Sequence, residues 1–115
     1  MQDYRKLDIW KRAMDYSVKL YKFSTKFPEN EKYGLVTQLR RSACSIPLNI
    51  AEGAGSDSSK EFKVFLGYAH RSVHEVLTIL ELSNRLNLIK SNSSESLAKE
   101  GREIRAMIFA FMQKL

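Results

Sequence analysis

Apolar residues recur along this chain at alternating steps of four and three, in four separate segments, and that rhythm is the spacing of one face of an α-helix. In the first segment Ile9, Ala13, Tyr16, Leu20, Phe23 and Phe27 form one stripe, and Trp10, Met14, Val18 and Tyr21 form a second beside it. An apolar face that wide packs against more than one neighbour. The second segment runs from about Glu31 to Ala54, with Leu35, Leu39, Ser42, Ile46, Ile50 and Gly53 on one side. Phe62, Leu66, Ala69, Val73, Val76 and Leu80 define the third, expected to reach about Leu88, and Leu97, Gly101, Ile104, Ile108, Phe111 and Leu115 the fourth, with Phe109 and Met112 flanking. No strand-like alternation competes. Four amphipathic helices with short connections predict an all-α fold, an antiparallel up-down-up-down four-helix bundle occupying residues 1–115 as a single domain.

Local signals place the ends of these helices. Asp8 is the expected N-cap of the first and Pro28 follows its end. The Gly53-Ala54-Gly55-Ser56 run is expected to supply left-handed backbone at the end of the second, and Ser58 with Glu61 has the spacing of a capping box for the third. The polar run Ser91-Asn92-Ser93-Ser94 is expected to break the third helix from the fourth. Inside the second helix stands Pro47, which lacks a backbone donor and should kink it. Around it Ser42, Ala43, Cys44, Ser45, Ala51, Gly53 and Ala54 are small enough to let a neighbouring helix approach closely.

Composition narrows the class. With 43% hydrophobic and 28% charged residues in 115, the chain reads as an ordinary globular domain rather than a disordered one. Met1-Gln2-Asp3-Tyr4-Arg5-Lys6 has no apolar core of a signal peptide, and no run approaches the roughly 18 apolar residues of a membrane span, so a cytoplasmic protein with no membrane partner is expected. The single cysteine, Cys44, cannot form an intrachain disulfide, and its apolar surroundings favour a buried, inert thiol. Asn92-Ser93-Ser94 matches a glycosylation pattern by chance, there being no secretion signal.

No catalytic constellation is present in the sequence. His70 and His74 share one side of a helix, but Arg71 stands where a zinc protease needs glutamate, and Gly67 and Arg71 where di-iron bundles need it. They read as surface or groove histidines. Gly53-Ala54-Gly55 lacks the strand and lysine of a phosphate-binding loop. Glu52, Glu75 and Glu81 are isolated on helices and read as partners in salt bridges or hydrogen bonds. Neither an enzyme nor a cofactor-binding or metal-binding protein is expected.

Charge points to a partner. The net charge is +6, and residues 1–28 carry seven basic against three acidic residues. Asp8 with Arg12 and Asp15 with Lys19 have the acid-first spacing of helix-supporting pairs. Lys22 and Lys26 continue the same stripe without an acid, and Lys11 lies on its edge. Arg40 and Arg41 have no acid three or four residues away in their own helix, so each needs a carboxylate from another helix or subunit, or a phosphate. The candidate nucleic-acid-binding residues are therefore Lys11, Arg12, Lys19, Lys22, Lys26, Arg40 and Arg41, with RNA or DNA as ligand. The surplus of apolar and aromatic side chains on the first helix marks an association surface, and hence a homo-oligomer.

Asp8-Ile9-Trp10-Lys11-Arg12-Ala13-Met14, Phe27-Pro28, Tyr33-Gly34-Leu35, Leu39-Arg40-Arg41-Ser42-Ala43, Ser45-Ile46-Pro47-Leu48-Asn49-Ile50-Ala51-Glu52-Gly53 and Lys60-Glu61-Phe62 with Phe65-Leu66 together resemble the bacterial 23S ribosomal RNA intervening-sequence protein family. The resemblance implies a small four-helix bundle assembled as a homopentamer and commonly encoded within insertions in ribosomal RNA genes. It also implies kinship with accessory factors of diversity-generating retroelements, where a basic pentameric surface binds nucleic acid and the protein partner is a reverse transcriptase. Arg40, Arg41 and Asn49 to Gly53 inherit a signature from it and no assigned role; His70 and His74 depart from the family's usual small or aliphatic residues. The competing expectation is a structural scaffold whose ligand is another protein.

Overall fold

A computed structural model describes residues 1–115 apart from the side chain of Ser91. Among the described residues there are four α-helices and no strand: α1 (Asp8–Ser24), α2 (Leu35–Ala54), α3 (Ser59–Arg85) and α4 (Ser91–Gln113). Short 3-10 turns at Tyr4–Lys6 and Glu29–Glu31 lead into α1 and α2. The longest helix is α3, with 27 residues, and the molecule measures 44 × 23 × 19 Å. No helix is long and apolar enough to cross a membrane among the described residues.

Packing follows the apolar stripes. Ile9, Ala13, Tyr16, Leu20, Phe23 and Phe27 are all buried, as are Leu39, Ile46 and Ile50 of α2, Phe62 through Leu80 at the predicted positions of α3, and Leu97, Ile104 and Ile108 of α4. Helix α2 packs on α1 and α3, and α4 packs on α3 and α1, so the four close around one core. Along each pair the contact partners rise in number on one helix as they fall on the other. Ser17 meets Ala43 and Ser24 meets Arg40 between α1 and α2; Ser45 meets Ser72 and Arg41 meets Glu75 between α2 and α3. Phe62 meets Phe111 and Asn84 meets Ser94 between α3 and α4.

Small residues bring helices close. A Cβ at Gly53 would lie 2.8 Å from Phe62 Cδ1 and 2.9 Å from Phe65 Cβ, so α2 and α3 touch there in a way no larger residue allows. At Gly101 a Cβ would lie 2.5 Å from the Tyr16 hydroxyl oxygen, which donates to the Leu97 carbonyl at 2.8 Å. Pro47 lies within α2, and the Ala43 carbonyl four residues earlier, deprived of its usual donor, accepts from Ser17 Oγ at 2.6 Å.

Several helix ends differ from expectation. Asp8 is the first residue of α1 rather than its cap; Leu7 takes the cap position and no side chain bonds there. Helix α2 starts at Leu35, after the 3-10 turn and Gly34, not near Glu31. Its end uses no left-handed residue, since Gly55 has φ −79° and its N–H is taken up by carbonyls of the last turn, Ala51 among them. Gly53 thus serves close packing and not backbone freedom. Ser58 caps α3 as expected, accepting from the Glu61 N–H at 3.1 Å. The break before α4 falls at Leu86–Lys90, and Ser91-Asn92-Ser93-Ser94 opens α4 instead of interrupting the chain. Asn87 adopts φ 57° and the Leu88 N–H reaches back to the Ser83 carbonyl at 3.0 Å, a left-handed helix stop that asparagine tolerates.

Candidate nucleic-acid interface

The basic residues of α1 and of the turn that follows it divide into two sets. Arg12 and Lys19 turn toward α4: Arg12 bonds Glu103 and lies 3.8 Å from Glu100, while Lys19 reaches Glu100 at 3.0 Å. The expected pairs with Asp8 and Asp15 inside α1 are replaced, because the carboxylates of α4 face the groove between the two helices. Arg12 also points a nitrogen at the Met107 sulfur, 3.4 Å away. Its hydrogen bond holds the Glu103 carboxyl below the usual carboxylate range. Lys11, Lys22 and Lys26 form the second set; all three are exposed and make no ion pair among the described residues. The Lys26 ammonium lies 5.8 Å from the centre of the Phe23 ring.

The two arginines of α2 also part company. Arg41 meets the Glu75 carboxylate of α3 at 2.9 Å, shared with Ser42 Oγ at 2.9 Å, so its partner is a carboxylate on the next helix. Arg40 has no carboxylate. Its Nε donates to Ser24 Oγ at 2.8 Å and its guanidinium lies 5.1 Å from the Tyr21 ring centre. Tyr21 and Cys44 share a hydrogen bond of 3.1 Å, which with burial pushes the Tyr21 phenol up in pKa. Cys44 is half-buried at this bond, not enclosed in the core.

Between α1 and α2 lies an apolar groove of about 870 Å³, lined by Trp10, Met14, Val18, Tyr21, Pro47 and Leu48 among others. The second stripe of α1 forms one wall, and Tyr4 packs edge-on against Trp10 with ring centres 5.0 Å apart. Met14, Val18 and Leu48 are 40%, 51% and 61% exposed, so the wide apolar face of α1 is only half used by the bundle. Glu52 lines the same groove. Of the other lone glutamates, Glu75 takes Arg41 and Glu81 takes Arg85 one turn on at 2.9 Å.

On the far side of the molecule, His70 and His74 of α3 stand with ring centres 4.9 Å apart, and His70 lies 6.1 Å from the ring of Phe109 on α4. No group of three or more His, Cys, Asp or Glu that could hold a metal exists among the described residues. Burial first, then the charges of His74 and Arg105, hold the His70 imidazole below its usual pKa. Lys63 and Arg105, like Arg40 and Arg41, have no acid three or four residues away, and that spacing test applied along the whole chain finds them.

A 23S rRNA-intervening sequence protein family matches the chain over residues 5–110. A protein of unknown function from the S23 ribosomal protein family of Bacteroides thetaiotaomicron VPI-5482, known from a crystal structure, superposes with a TM-score of 0.81 and 25% identity, covering 90% of this chain and 97% of that one. No curated protein matches.

Proposed function

This chain belongs to the 23S rRNA-intervening sequence protein family, and from that premise we propose that it is a non-catalytic, self-associating helical bundle that binds RNA or DNA through contacts to phosphate. The observation that carries this reading is the separation of the basic residues into neutralised and free sets. Arg12, Lys19 and Arg41 are matched by carboxylates of neighbouring helices. Lys11 and Lys22 stand exposed on α1 and Lys26 in the turn just after it, and Arg40, facing only a hydroxyl and a ring, lies at the C-terminal end of α1 against Tyr21 and Ser24. A phosphate needs such cations, since each contact releases condensed counterions from the nucleic acid.

The groove between α1 and α2 supports self-association, because apolar side chains left exposed on one rim of a small domain favour burial against another surface. Five copies, the number the family resemblance implies, would repeat the same few lysines around an axis and turn weak contacts into avidity. A second reading is favoured by the cross-helix pairs: if cations serve chiefly to join helices, as Arg41 does, the bundle is a scaffold and its groove takes a protein such as a reverse transcriptase.

Fluorescence anisotropy with a structured RNA and a duplex DNA, repeated at rising salt, tests the first reading. Binding at low salt whose logarithm falls linearly with the logarithm of salt concentration is expected. No binding to either at low salt overturns it in favour of the scaffold. Light scattering of the purified chain tests self-association, and a monomer overturns that part.

A further inference from the structure

We propose that the α3/α4 flank formed by Lys63, Gly67, His70, His74, Arg105 and Phe109 binds an unpaired stretch of nucleic acid, with phosphate between the imidazoles and Arg105 and a base laid on Phe109. The proposal rests on the nucleic-acid reading above and adds to it a second surface, a strand preference and a pH dependence.

Helical geometry assembles the site. Residues 63, 67, 70 and 74 are four, three and four apart, so they share one flank of α3. That flank meets α4 at His70 and Phe109, whose ring centres are 6.1 Å apart with planes tilted by 48°. Phe109 is 52% exposed, an uncommon position for a phenylalanine and the shape of a stacking platform. One turn before His70 on the same flank of α3, Gly67 leaves an opening: a Cβ there would meet nothing within 4 Å. Glycine in mid-helix costs about 0.5 to 1 kcal/mol relative to alanine, and unlike Gly53 and Gly101 this one is not required by any contact inside the chain. A backbone from outside can approach closely there.

Electrostatics select the sign of the ligand. The groups that act on His70 are His74 on its own helix and Arg105 on α4, both lowering its pKa. Arg71 and Glu75 share a recess with His74 on the α2 side of α3; Arg71 adds positive charge there, and the carboxylate of Glu75 is engaged by Arg41 and Ser42 of α2. A divalent cation held by the two imidazoles would lack a third ligand and meet the charge of Arg105. A phosphate is attracted by the same charge. It also favours protonated imidazole, so binding takes up protons and strengthens as pH falls through the histidine range.

The test uses anisotropy with labelled oligothymidine of about 20 nucleotides and a duplex of the same length, at about pH 5.5 and about pH 7.5 in constant salt. The expected result is single-strand affinity about tenfold greater at the lower pH, the effect of one pKa unit gained on binding. The double variant H70Q/H74Q should flatten that dependence, and F109A should weaken the single strand while leaving the duplex unchanged. Pairing these with K22A/K26A separates the surfaces, since the α1 variant should weaken both ligands at both pH values. Wild-type pH dependence retained in H70Q/H74Q, or undiminished single-strand binding by F109A, overturns this site and leaves the α1 reading standing. Absence of binding by the wild type to any probe overturns both readings.

Discussion

Ser17 Oγ donates to the Ala43 carbonyl at 2.6 Å, and Ala43 is the residue whose carbonyl loses its helical donor to Pro47. The side chain of α1 thus completes the hydrogen bonding of α2. Both ends of the bond are buried, and an unsatisfied buried carbonyl costs about 1 to 3 kcal/mol. Replacing Ser17 with alanine should therefore destabilise the fold by that amount in urea unfolding. In a Pro47→Ala background the restored N–H of residue 47 takes the carbonyl, so the same Ser17 substitution should cost less by about 1 kcal/mol. Equal costs in the two backgrounds would separate Ser17 from the proline.

Glycine at three helical positions should respond to alanine in two directions. At Gly53 and Gly101 the new Cβ would come within 2.8 Å of Phe62 and 2.5 Å of the Tyr16 hydroxyl, so overpacking of about 1 to 3 kcal/mol should outweigh the helix propensity gained. At Gly67 nothing lies within 4 Å, and alanine should stabilise by about 0.5 to 1 kcal/mol. Thermal melts of the three single variants decide it; a destabilised Gly67→Ala would mean that the chain itself uses that opening.

These glycines also mark how far the sequence could be read. The four stripes and the Ser58 cap were legible because helical period and capping chemistry are local. Asn87 as a helix stop was legible in principle, since asparagine tolerates left-handed backbone, but it is masked by leucines on both sides that continue the apolar rhythm. The site was harder. Arg12 has Asp8 at ideal spacing and still turns to Glu103, because a carboxylate presented by a packed neighbour competes with one in the same helix, and only the packing says which wins. Lys22 and Arg40 pair with no carboxylate for the same reason: Glu100 and Glu103, which line a groove with Lys22, are taken by Arg12 and Lys19, and Arg40 meets a hydroxyl and a ring instead. His70 and Phe109 come together from residues 39 apart in the chain, and no periodicity in one helix contains that meeting.

The two sets of cations predict separable effects on nucleic-acid binding. Replacing Lys22 and Lys26 with alanine should reduce the slope of log affinity against log salt by about 0.7 to 0.9 for each lysine that touches phosphate. Replacing Arg12 or Lys19 should leave that slope unchanged, since those side chains already face carboxylates. Losing Arg12 or Lys19 should lower stability by about 1 kcal/mol, more than a fully exposed pair would, because the Glu100 side chain is only 15% exposed. Salt titrations of the three variants measure the difference, and an unchanged slope in the Lys22/Lys26 variant would remove α1 from the interface.

Tyr16 links the core to alkaline stability. Its ring is fully buried and its hydroxyl donates to the Leu97 carbonyl at 2.8 Å, so burial first, and the nearby Glu100 charge second, push its pKa well above the ordinary 10.0. The folded chain keeps this proton where the unfolded chain has lost it. Unfolding above about pH 10 therefore releases a proton, and stability present below that pH falls as pH rises toward the folded value. A Tyr16→Phe variant has no proton to release, so its melting temperature should decline less steeply than that of the wild type above about pH 10. At neutral pH the variant should be less stable by about 1 kcal/mol, the net worth of one hydrogen bond, because the Leu97 carbonyl still accepts within its own helix. Parallel alkaline limbs in the two proteins would show that the hydroxyl ionises without opening the core, against the close fit of Tyr16 over Gly101.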